Sequence, residues 1–449
     1  MFANMNICPP VASDDSLAEA LERRQREGRP VRVGLIGAGQ MGTDIIMQAA
    51  QMTGIEVVAT ADARVDNVAT ACRIAGDGVR AVESVQGAAA TASAIARGRM
   101  AATASYTDVC RAEAVDVVID ATGNPNVGAE VALTTIDAGK PIVMMNVEAD
   151  VTIGPYLSAK AREAGVVYTL GAGDEPSSTM ELVNFLRALG YPIVAAGKGK
   201  NNAFKVDATP DAYVDEAKRR NMNPRMLVEF VDGSKTMVEM VALANATGLV
   251  PDIAGMHGPD APLDSLHRVF CPREEGGLLS RKGAVDFTVA KGVAPGVFAI
   301  AEMRHPRLRE RMNDLGLGEG PYYTYYRPYH LTSLEVPLSA AAAVLFGRSH
   351  MRPLSTPVAE VGAVAKRDLA AGEILDAIGE YAYRGFALSR VDADASAALP
   401  LGLAQGAKVT RSIGRGERLT YANCAPDERL RIVQVRRAQD EFVRAALAA

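Results

Sequence analysis

The sequence lacks the features that mark several large classes of protein. Its five cysteines are scattered and include no CxxC pair, so we expect neither a disulfide framework nor a zinc site. We find no run of about 18 apolar residues and no basic N-terminal segment followed by an apolar stretch, so we predict no transmembrane helix and no secretory signal. A net charge of only −5 argues against nucleic-acid binding. These absences predict a cytoplasmic protein.

The clearest motif that is present lies at residues 31–42. A short β-branched apolar run leads into Gly37-Ala38-Gly39-Gln40-Met41-Gly42, and a helical pattern follows. In such a strand–turn–helix, the first glycine permits the tight turn, the second lets the backbone approach a pyrophosphate, and the third allows close helix–strand packing. The helix N-terminus then faces the phosphate charge. The motif predicts a dinucleotide-binding Rossmann domain that uses residues 37–42.

Residues at the ends of the following strands are expected to contact the rest of the dinucleotide. Residues 56–61 read as a second strand that ends at Asp62, where an acidic residue bonds the adenosine ribose. Arg64 lies two residues further on and suits a 2′-phosphate, so the residues alone leave NAD and NADP open. Further buried strands are predicted at 115–121 and 141–145. Because ligands lie at the carboxyl ends of such strands, we expect the nicotinamide end to be lined by Thr122, Gly123, Asn124 and Asn146.

The remaining patterns divide the chain, whose 449 residues predict two or three domains. The middle mixes helices and strands, which predicts a substrate domain. Helices are predicted at 14–28, 67–75, 84–96, 177–189, 234–247 and 338–346, and further strands at 166–170, 193–196 and 226–230.

The C-terminal part of the chain contains a short internal repeat, here called the echo. Arg367-Asp-Leu-Ala-Ala-Gly372-Glu373-Ile-Leu375 and Arg411-Ser-Ile-Gly-Arg-Gly416-Glu417-Arg-Leu419 share Arg, Gly-Glu and Leu at the same offsets, 44 residues apart. A repeated hairpin unit is the simplest explanation. The echo therefore predicts a small all-β module after a linker at residues 352–357.

These motifs together resemble a known group of enzymes. Up to about residue 340 the chain is similar to homoserine-dehydrogenase-like oxidoreductases, and residues 367–375 are similar to the phrase of the SAF (antifreeze-like) β-clip domain. Three further segments look like SAF-containing oxidoreductases, which include reductoisomerase-like enzymes acting on 1-deoxy-D-xylulose 5-phosphate: Gly-Asp174-Glu175-Pro-Ser, Gly-Lys198-Gly-Lys200-Asn201-Asn202 and Tyr-His330-Leu-x-x-x-Glu335-x-Pro.

The resemblance implies an α/β fold in three parts. Residues 1–150 would form a doubly wound Rossmann domain, 151–350 an α/β substrate domain, and 355–449 an all-β SAF-like domain. It also favours NADP(H) over NAD(H). We further expect a homodimer or higher homo-oligomer that acts on a small molecule.

One departure from the resemblance argues against homoserine as the substrate. Homoserine dehydrogenases carry Asn-Lys after the strand that matches residues 141–145, whereas this chain has Asn146-Val147. They also carry Asp and Lys four residues apart on the helix that matches 234–248, whereas here Lys235 and Glu239 stand in reversed order. An enzyme that relies on those lysines would lose its proton relay, so we predict a different activity.

Five residues are predicted to carry the chemistry. Lys198 and Lys200 would share one face of a strand, where paired ammonium groups suit a phosphate or a developing alkoxide, with a solvated loop as the alternative. Lys235 and Glu239 share one face of an apolar helix and would relay a proton, with an ordinary surface salt bridge as the alternative. His330 is the acid/base candidate, with a packed histidine as the alternative.

Six more residues are predicted to contact the substrate. Asp174 and Glu175 precede a helix, a position typical of helix caps, but their carboxylates also suit substrate hydroxyls or a divalent metal. Two adjacent carboxylates fall short of a full hard-metal site, so a metal stays an open prediction. The other four are Asn201, Asn202, Arg327 and Glu335.

We therefore predict hydride transfer between NADP(H) and a small polyhydroxylated carbonyl or alcohol. The resemblance suggests conversion of 1-deoxy-D-xylulose 5-phosphate to 2-C-methyl-D-erythritol 4-phosphate, a step of isoprenoid biosynthesis. The enzymatic alternative is a dehydrogenase or oxidoisomerase of sugar acids or polyols in carbon catabolism. The non-enzymatic alternative is a nicotinamide cofactor sensor.

Overall fold

The structure is a computed structural model that describes residues 15–202, 204–220 and 222–448. Asp14, the first residue of the predicted leading helix, lies outside the described residues. Seven strands form the first sheet: β1 Val31–Ile36, β2 Ile55–Ala61, β3 Val82–Ser84, β4 Met100–Thr103, β5 Val117–Asp120, β6 Ile142–Met144 and β7 Tyr168–Leu170.

These strands are all parallel, in the order β3-β4-β2-β1-β5-β6-β7. The order reverses direction between β1 and β5, which places a ligand crevice at their carboxyl ends. This is the predicted doubly wound sheet. Helix α1 Leu17–Arg26 precedes β1. The helices that connect the strands and lead to the next sheet are α2 Gln40–Gln51, α3 Asp66–Ala75, α4 Ala88–Ala96, α5 Tyr106–Cys110, α6 Pro125–Asp137, α7 Val147–Glu163 and α8 Glu175–Ala188.

One predicted helix boundary in this region is wrong. The Ala-rich helix predicted from Ser84 begins only at Ala88, because Ser84 belongs to β3 and pairs with Ala102 of β4. Gly87 precedes the helix with φ 90°, a conformation that favours glycine and separates the strand from the helix.

A second, mixed sheet follows in the chain. Its strands are β8 Ile193–Gly199, β9 Val250–Pro251, β10 Ala284–Thr288, β11 Val297–Glu302 and β12 Tyr322–Arg327. They lie in the order β12-β11-β8-β10-β9. The helices of this region are α9 Val214–Arg219, α10 Pro224–Val231, α11 Ser234–Thr247, α12 Leu266–Val269, α13 Pro306–Asp314 and α14 Val336–Phe346.

Helix α10 replaces the strand that was predicted at residues 226–230, so that prediction is wrong. Asn223 caps the helix by accepting a hydrogen bond from the Arg225 N–H at 2.9 Å, and Pro224 occupies the first turn. Leu227, Val228 and Val231 then fall on one buried face, the spacing of a helix. The apolar run was too short for its period to be recognised from the sequence.

Two helices of the second region connect it to its neighbours. Helix α11 is buried along almost its whole length and ends at Gly248, whose φ of 78° makes it a typical C-cap. Helix α14 packs back onto the first sheet, since Val336, Ala340 and Leu345 share one apolar cluster with β1. Helix α14, part of the predicted substrate domain of residues 151–350, therefore packs on the nucleotide sheet, and the domain bounds stay a prediction.

The C-terminal module, residues 355–449, is not all-β as predicted. It contains β13 Ala359–Ala365, β14 Tyr383–Ser389, β15 Lys408–Val409, β16 Arg418–Leu419 and β17 Cys424–Ala425, but also the helices α15 Arg390–Ala395 and α16 Arg431–Ala448. Buried side chains of α16 include Ile432, Arg436, Gln439 and Val443, whose spacing is that of one helix face. Helix α16 packs on α7, where the Gln439 side chain donates to the Thr152 carbonyl at 3.0 Å.

The internal echo corresponds to a two-fold arrangement of backbone hydrogen bonds. The N–H groups of Leu369 and Ile413 donate to each other's carbonyls at 2.9 and 3.0 Å. Gly372 donates to Val409 as Gly416 donates to Ala365, and both glycines have φ above 80°. The two copies therefore pair with each other around a local two-fold axis.

Among the helices within the described residues, none combines the length and the apolar composition needed to cross a membrane.

Candidate active site

The glycine motif forms the turn between β1 and α2. A Cβ at Gly37, whose φ is 99°, would lie 2.7 Å from the Ala121 carbonyl oxygen, and a Cβ at Gly42 would lie 2.0 Å from the Gly37 oxygen. Both positions therefore require glycine. At Gly39, by contrast, a Cβ would meet no atom within 4 Å, so open space adjoins the backbone there. Helix α2 begins at Gln40 and Met41, which directs its N-terminus towards this space.

Asp62 and Arg64 lie beside the same turn. Asp62 accepts a hydrogen bond from the Ala38 N–H at 2.9 Å, and its other oxygen accepts from the Arg64 N–H and the Asn67 amide, each at 2.9 Å. A carboxylate has about four acceptor sites, so capacity for a ribose hydroxyl remains. The Arg64 side chain is exposed and has no side-chain partner within the described part of the chain. The geometry leaves this guanidinium available to a ligand.

The four residues predicted at the nicotinamide end fall into two groups. Thr122, Gly123 and Asn124 form the loop after β5 and face a cavity described below. Asn146 has no exposed surface: its amide donates to the Asn124 carbonyl at 2.8 Å, and its oxygen caps α7 by accepting from the Ala149 N–H. Asn146 thus positions the loop from behind instead of facing a ligand.

A buried network of lysines and carboxylates joins β8 to the starts of α8 and α11. Lys198 Nζ lies 2.5 Å from Glu175 Oε1 and also donates to Glu239. Lys235 Nζ lies 3.8 Å from Glu239 Oε1 and 3.9 Å from Asp174 Oδ2. Lys235 and Glu239 are one turn apart on α11, so they share one face as predicted. The alternative of a surface salt bridge is excluded, because Glu239 is fully buried.

Burial and charge set the protonation of this network. Burial, together with the neighbouring Glu175, raises the pKa of Glu239 to about 8. Burial also raises the pKa of Asp174 to about 6. For Glu175, the Lys198 ammonium and His330 outweigh burial and lower the pKa. At neutral pH the network therefore holds a proton on Glu239, beside two lysines.

Three carboxylates of the network could hold a metal ion. Asp174, Glu175 and Glu239 each offer an oxygen, and these oxygens lie within 4.8 Å of one another. Asp174 Oδ2 and Glu239 Oε1 are buried and have no hydrogen-bond partner among the residues that the structure describes. Oxygen donors of this kind suit a hard divalent cation. The donor set therefore fits a cation, with Lys198 competing for two of its members.

Lys200 does not join Lys198 in a cationic pair, contrary to the prediction. Its Nζ donates to the Phe230 carbonyl at 2.5 Å, while burial and the nearby Lys198 lower its pKa to about 8. Asn201 is exposed, and Asn202 accepts a hydrogen bond from Arg220 at 3.3 Å. Neither asparagine contacts the network within the described residues.

His330 reaches the network, whereas Arg327 and Glu335 support it. His330 Nε2 lies 3.3 Å from Glu175 Oε1, and its Nδ1 lies 3.0 Å from the Gly173 carbonyl oxygen. Arg327 Nη2 donates to both Glu335 oxygens at 2.8 Å. That pair closes the turn that carries His330, and the contact of its two members with a substrate stays a prediction.

Sequence reasoning missed a cavity of about 330 Å³ next to the network. Glu148 lies on its wall, and Glu148 Oε1 is 3.6 Å from Lys235 Nζ. Thr122 and Asn124 line the same cavity, as do Arg225 and Glu229 of α10. The position of Glu148, two residues after Asn146 at a strand end, was a signal that could have revealed it. The α10 residues were hidden by the mistaken strand.

Two known protein families match the two parts of the chain that form this site. Residues 33–170 match the NAD binding domain of homoserine dehydrogenase, and residues 173–336 match the catalytic domain of the oxidoreductase DRL. The second match includes the five residues predicted to carry the chemistry. The sequence has no significant match among curated proteins.

Solved structures give more distant likenesses. An NAD binding oxidoreductase from Klebsiella pneumoniae is 18% identical, with 40% of this chain and 45% of that chain covered and a TM-score of 0.30. The 1-deoxy-D-xylulose 5-phosphate reductoisomerase from Zymomonas mobilis, in complex with NADPH, is 17% identical over 48% of this chain and 57% of that one (TM-score 0.34). A myo-inositol dehydrogenase from Corynebacterium glutamicum is 14% identical over 73% and 90% (TM-score 0.38). The chain thus spans about half the length of the first two.

The two family matches together cover the described site. One covers the glycine turn and the parallel sheet, and the other covers the lysine–carboxylate network. They confirm the predicted fold class and enzyme class, and they give no support to a non-catalytic cofactor sensor. The resemblance to SAF domains, the cytoplasmic location and the homo-oligomeric state stay predictions. The protein is an NAD(P)-dependent oxidoreductase.

Proposed function

We propose that the protein transfers a hydride between NADP(H) and a small polyhydroxylated carbonyl or alcohol. One observation carries the proposal: the loop after β5 lines a cavity whose wall also includes Glu148, a direct neighbour of Lys235 in the lysine–carboxylate network. Thr122 and Asn124 line it from the side of the nucleotide sheet, and Glu148 lines it within 3.6 Å of Lys235. A substrate whose oxygen replaces Glu148 beside Lys235 would contact both a hydride carrier and a proton donor.

The cofactor would lie along the carboxyl ends of β1, β2 and β5. Residues 37–42 would hold the pyrophosphate, Asp62 the adenosine ribose, and Arg64 a 2′-phosphate. The guanidinium of Arg64, exposed and without a partner among the described residues, supports NADP(H) over NAD(H). When bound, the nicotinamide supplies or accepts the hydride.

Lys235 is the proposed proton donor to the carbonyl oxygen. Its ammonium lies 3.6 to 3.9 Å from three carboxylates, so its contacts are longer than strong hydrogen bonds and a substrate oxygen can replace one of them. In the reduction, the oxygen that becomes an alkoxide takes one proton from Lys235. Glu239, which is protonated at neutral pH because its pKa is raised to about 8, returns a proton to Lys235.

Lys198 and His330 have a supporting role in this proposal. Lys198 is almost fully buried between Glu175 and Glu239, so its charge fixes their positions. His330 contacts Glu175 from the other side. A divalent cation, when bound, would be held by Asp174, Glu175 and Glu239, and it would polarise adjacent oxygens of the substrate.

Two substrate classes follow from this site. The first is 1-deoxy-D-xylulose 5-phosphate, converted by isomerisation and reduction to 2-C-methyl-D-erythritol 4-phosphate. The second is a polyol or sugar acid of carbon catabolism, acted on by a dehydrogenase or oxidoisomerase. The carboxylates of Glu148 and Glu229 on the cavity wall favour the second class, because carboxylates accept hydrogen bonds from hydroxyl groups.

The proposal is tested by NADPH oxidation with 1-deoxy-D-xylulose 5-phosphate and by NADP⁺ reduction with a panel of polyols and sugar acids. With the best substrate, Lys235→Met should lower kcat by about 10²- to 10⁴-fold, the usual contribution of a general acid. Its Kd for NADPH should stay unchanged. The matched control is Lys160→Met, whose ammonium pairs with Glu163 on the surface. A Lys235→Met enzyme with the kcat of the wild type would refute the assigned role.

A further inference from the structure

The cavity beside the network has one wall that belongs to the C-terminal module. Glu380, Gln405 and Ile378 of this module line it together with Thr122 of the loop after β5. Its volume of about 330 Å³ falls at the lower end of the range for small-molecule sites. The echo-containing module therefore reaches the substrate cavity directly.

This wall is packed firmly against α10. The Arg225 guanidinium donates to the Ile378 carbonyl at 3.1 Å. A Cβ at Gly379, whose φ is 80°, would come within 2.5 Å of both the Arg225 oxygen and Glu229 Cγ. No space for a side chain remains between the two segments, so the wall is a fixed part of the site.

A buried ion pair anchors the same segment at its other end. Lys366 Nζ donates to the Glu380 carbonyl at 2.8 Å and lies 2.7 Å from Asp232 Oδ2, directly before α11. The Glu380 side chain accepts a hydrogen bond from the Ala377 N–H at 3.2 Å, which leaves further acceptor sites on its carboxylate. Glu380 is thereby held with acceptor capacity towards the cavity.

The charged side chains of the cavity are mostly acidic. Among the described residues that line it, Glu148, Glu229 and Glu380 face one cation, Arg225, which already lies 3.7 Å from Glu229; Lys235 lies 3.6 Å from Glu148 but is not part of the lining. Burial raises the pKa of Glu229 to about 8, but two carboxylates still oppose one guanidinium when Glu229 holds a proton. A phosphate or carboxylate here would meet net repulsion. Hydroxyl groups would find acceptors in the carboxylates and a donor in Gln405.

We infer that the C-terminal module forms the specificity wall of the active site, where Glu380 and Gln405 bind the hydroxyl groups of an uncharged, unphosphorylated polyol segment. This inference rests on the proposed function and narrows its substrate class. It selects substrates whose end in this cavity carries hydroxyls, and it disfavours those that would place a phosphate there.

The test measures binding, so that it does not depend on turnover. Xylitol and xylitol 5-phosphate are titrated by calorimetry into the full-length protein saturated with NADP⁺. We expect xylitol to bind and the phosphate ester to bind more weakly. Glu380→Ala and Gln405→Ala should each weaken xylitol binding, by about 10- to 100-fold for the charged Glu380, since a hydrogen bond to a charged group contributes about 1.5–3 kcal/mol. Glu380→Gln should reduce the preference for xylitol over its phosphate ester.

Matched controls are available on α16. Glu441→Ala and Gln434→Ala alter exposed side chains of the same types and should leave both affinities unchanged. NADPH affinity and thermal stability of the Glu380→Gln variant should equal those of the wild type. The inference is overturned if the phosphate ester binds the wild type more tightly, if neither compound binds, or if both alanine variants retain the affinity for xylitol. Loss of the Lys235→Met effect would instead overturn the proposed function, and the two failures are therefore distinguishable.

Discussion

Lys198 and Glu175 form an ion pair that solvent scarcely reaches. The ammonium nitrogen lies 2.5 Å from Oε1, and the two side chains are 6% and 12% exposed. Lys198 also contacts Glu239, so one ammonium holds two buried carboxyl groups, of which Glu175 carries the opposite charge. Such a group stabilises the fold only while all partners are present, because a buried charge without a counterion is costly.

We therefore expect Lys198→Met to be strongly destabilising. The free energy of unfolding should fall by about 3–5 kcal/mol, the usual cost of breaking a buried pair from one side. The double variant Lys198→Met/Glu175→Gln should recover part of this loss, since it removes the carboxylate that is left without its counterion. Urea denaturation at pH 7 measures both changes.

The control for this experiment is a lysine on the surface. Lys160 lies 2.7 Å from Glu163, but their side chains are 40% and 63% exposed. Lys160→Met should change the free energy of unfolding by less than about 1 kcal/mol. An equally small effect of Lys198→Met would show that the buried network does not carry the charges assigned to it.

A second prediction separates two glycines of the nucleotide turn. Gly39→Ala should fold normally, because φ is −74° and a Cβ would meet no atom within 4 Å. The methyl group would occupy the space proposed for the pyrophosphate, so the Kd for NADPH should rise about 10- to 100-fold, as expected when a hydrogen bond to a charged group is lost. Fluorescence titration and thermal unfolding measure the two properties.

Gly42→Ala, in contrast to Gly39→Ala, should lower the stability of the fold. Its Cβ would lie 2.0 Å from the Gly37 oxygen, so the turn must shift and stability should fall by about 1–3 kcal/mol. Unchanged NADPH affinity in a stable Gly39→Ala protein would mean that the phosphate does not approach this turn.

The glycine turn could be predicted from sequence because its function depends on residues that are neighbours in the chain. Gly37 and Gly42 are close in the chain, and at each position a side chain would clash with the backbone, so a sequence motif requires glycine there. The network is different: Glu175, Lys198 and Glu239 come from three elements, and only the pairing of those elements places them together. Single residues could be nominated, but their partners could not. Lys200 is an example, because its predicted partner Lys198 contacts Glu175 and Glu239 instead.

A third prediction concerns the choice of cofactor. Arg64→Gln should raise the KM for NADPH by about 10- to 100-fold, because a charge-assisted hydrogen bond to the 2′-phosphate is lost. The KM for NADH should not change. Arg73→Gln is the control, since Arg73 is also exposed, on α3, and within the described part of the chain its side chain bonds only Thr70. Equal effects of Arg64→Gln on both cofactors would argue against a 2′-phosphate contact.

The C-terminal part shows another limit of sequence reasoning. The echo of Gly372 and Gly416 was visible, and the reciprocal hydrogen bonds explain it. Helix α16 was overlooked because its buried face includes Arg436 and Gln439, polar residues that obscure an apolar period. Arg436 is neutralised by Glu360 of β13, a partner far away in the chain. Polar groups that are buried through such distant partners are not recognisable from a local pattern.

The last prediction concerns stability and pH. Asp150, on α7, is 1% exposed; Tyr168 donates to its Oδ1 at 2.7 Å, and Oδ2 has no hydrogen-bond partner among the described residues. Burial raises its pKa to about 7. In the unfolded chain an aspartate loses its proton near pH 3.9. Between these values the native state binds the extra proton, so its stability falls as the pH rises from about 4 to about 7.

Asp150→Asn removes this ionisation. The variant should therefore gain stability relative to the wild type across the same pH window, up to about 4 kcal/mol at pH 8, since each pKa unit corresponds to about 1.36 kcal/mol. Denaturation at pH 5 and pH 8 measures the difference. Asp260→Asn, in an exposed loop, should follow the wild type at both values. A stability difference between Asp150→Asn and the wild type that is the same at both pH values would mean that Asp150 ionises alike in the folded and unfolded chain, and that its burial carries no energetic cost.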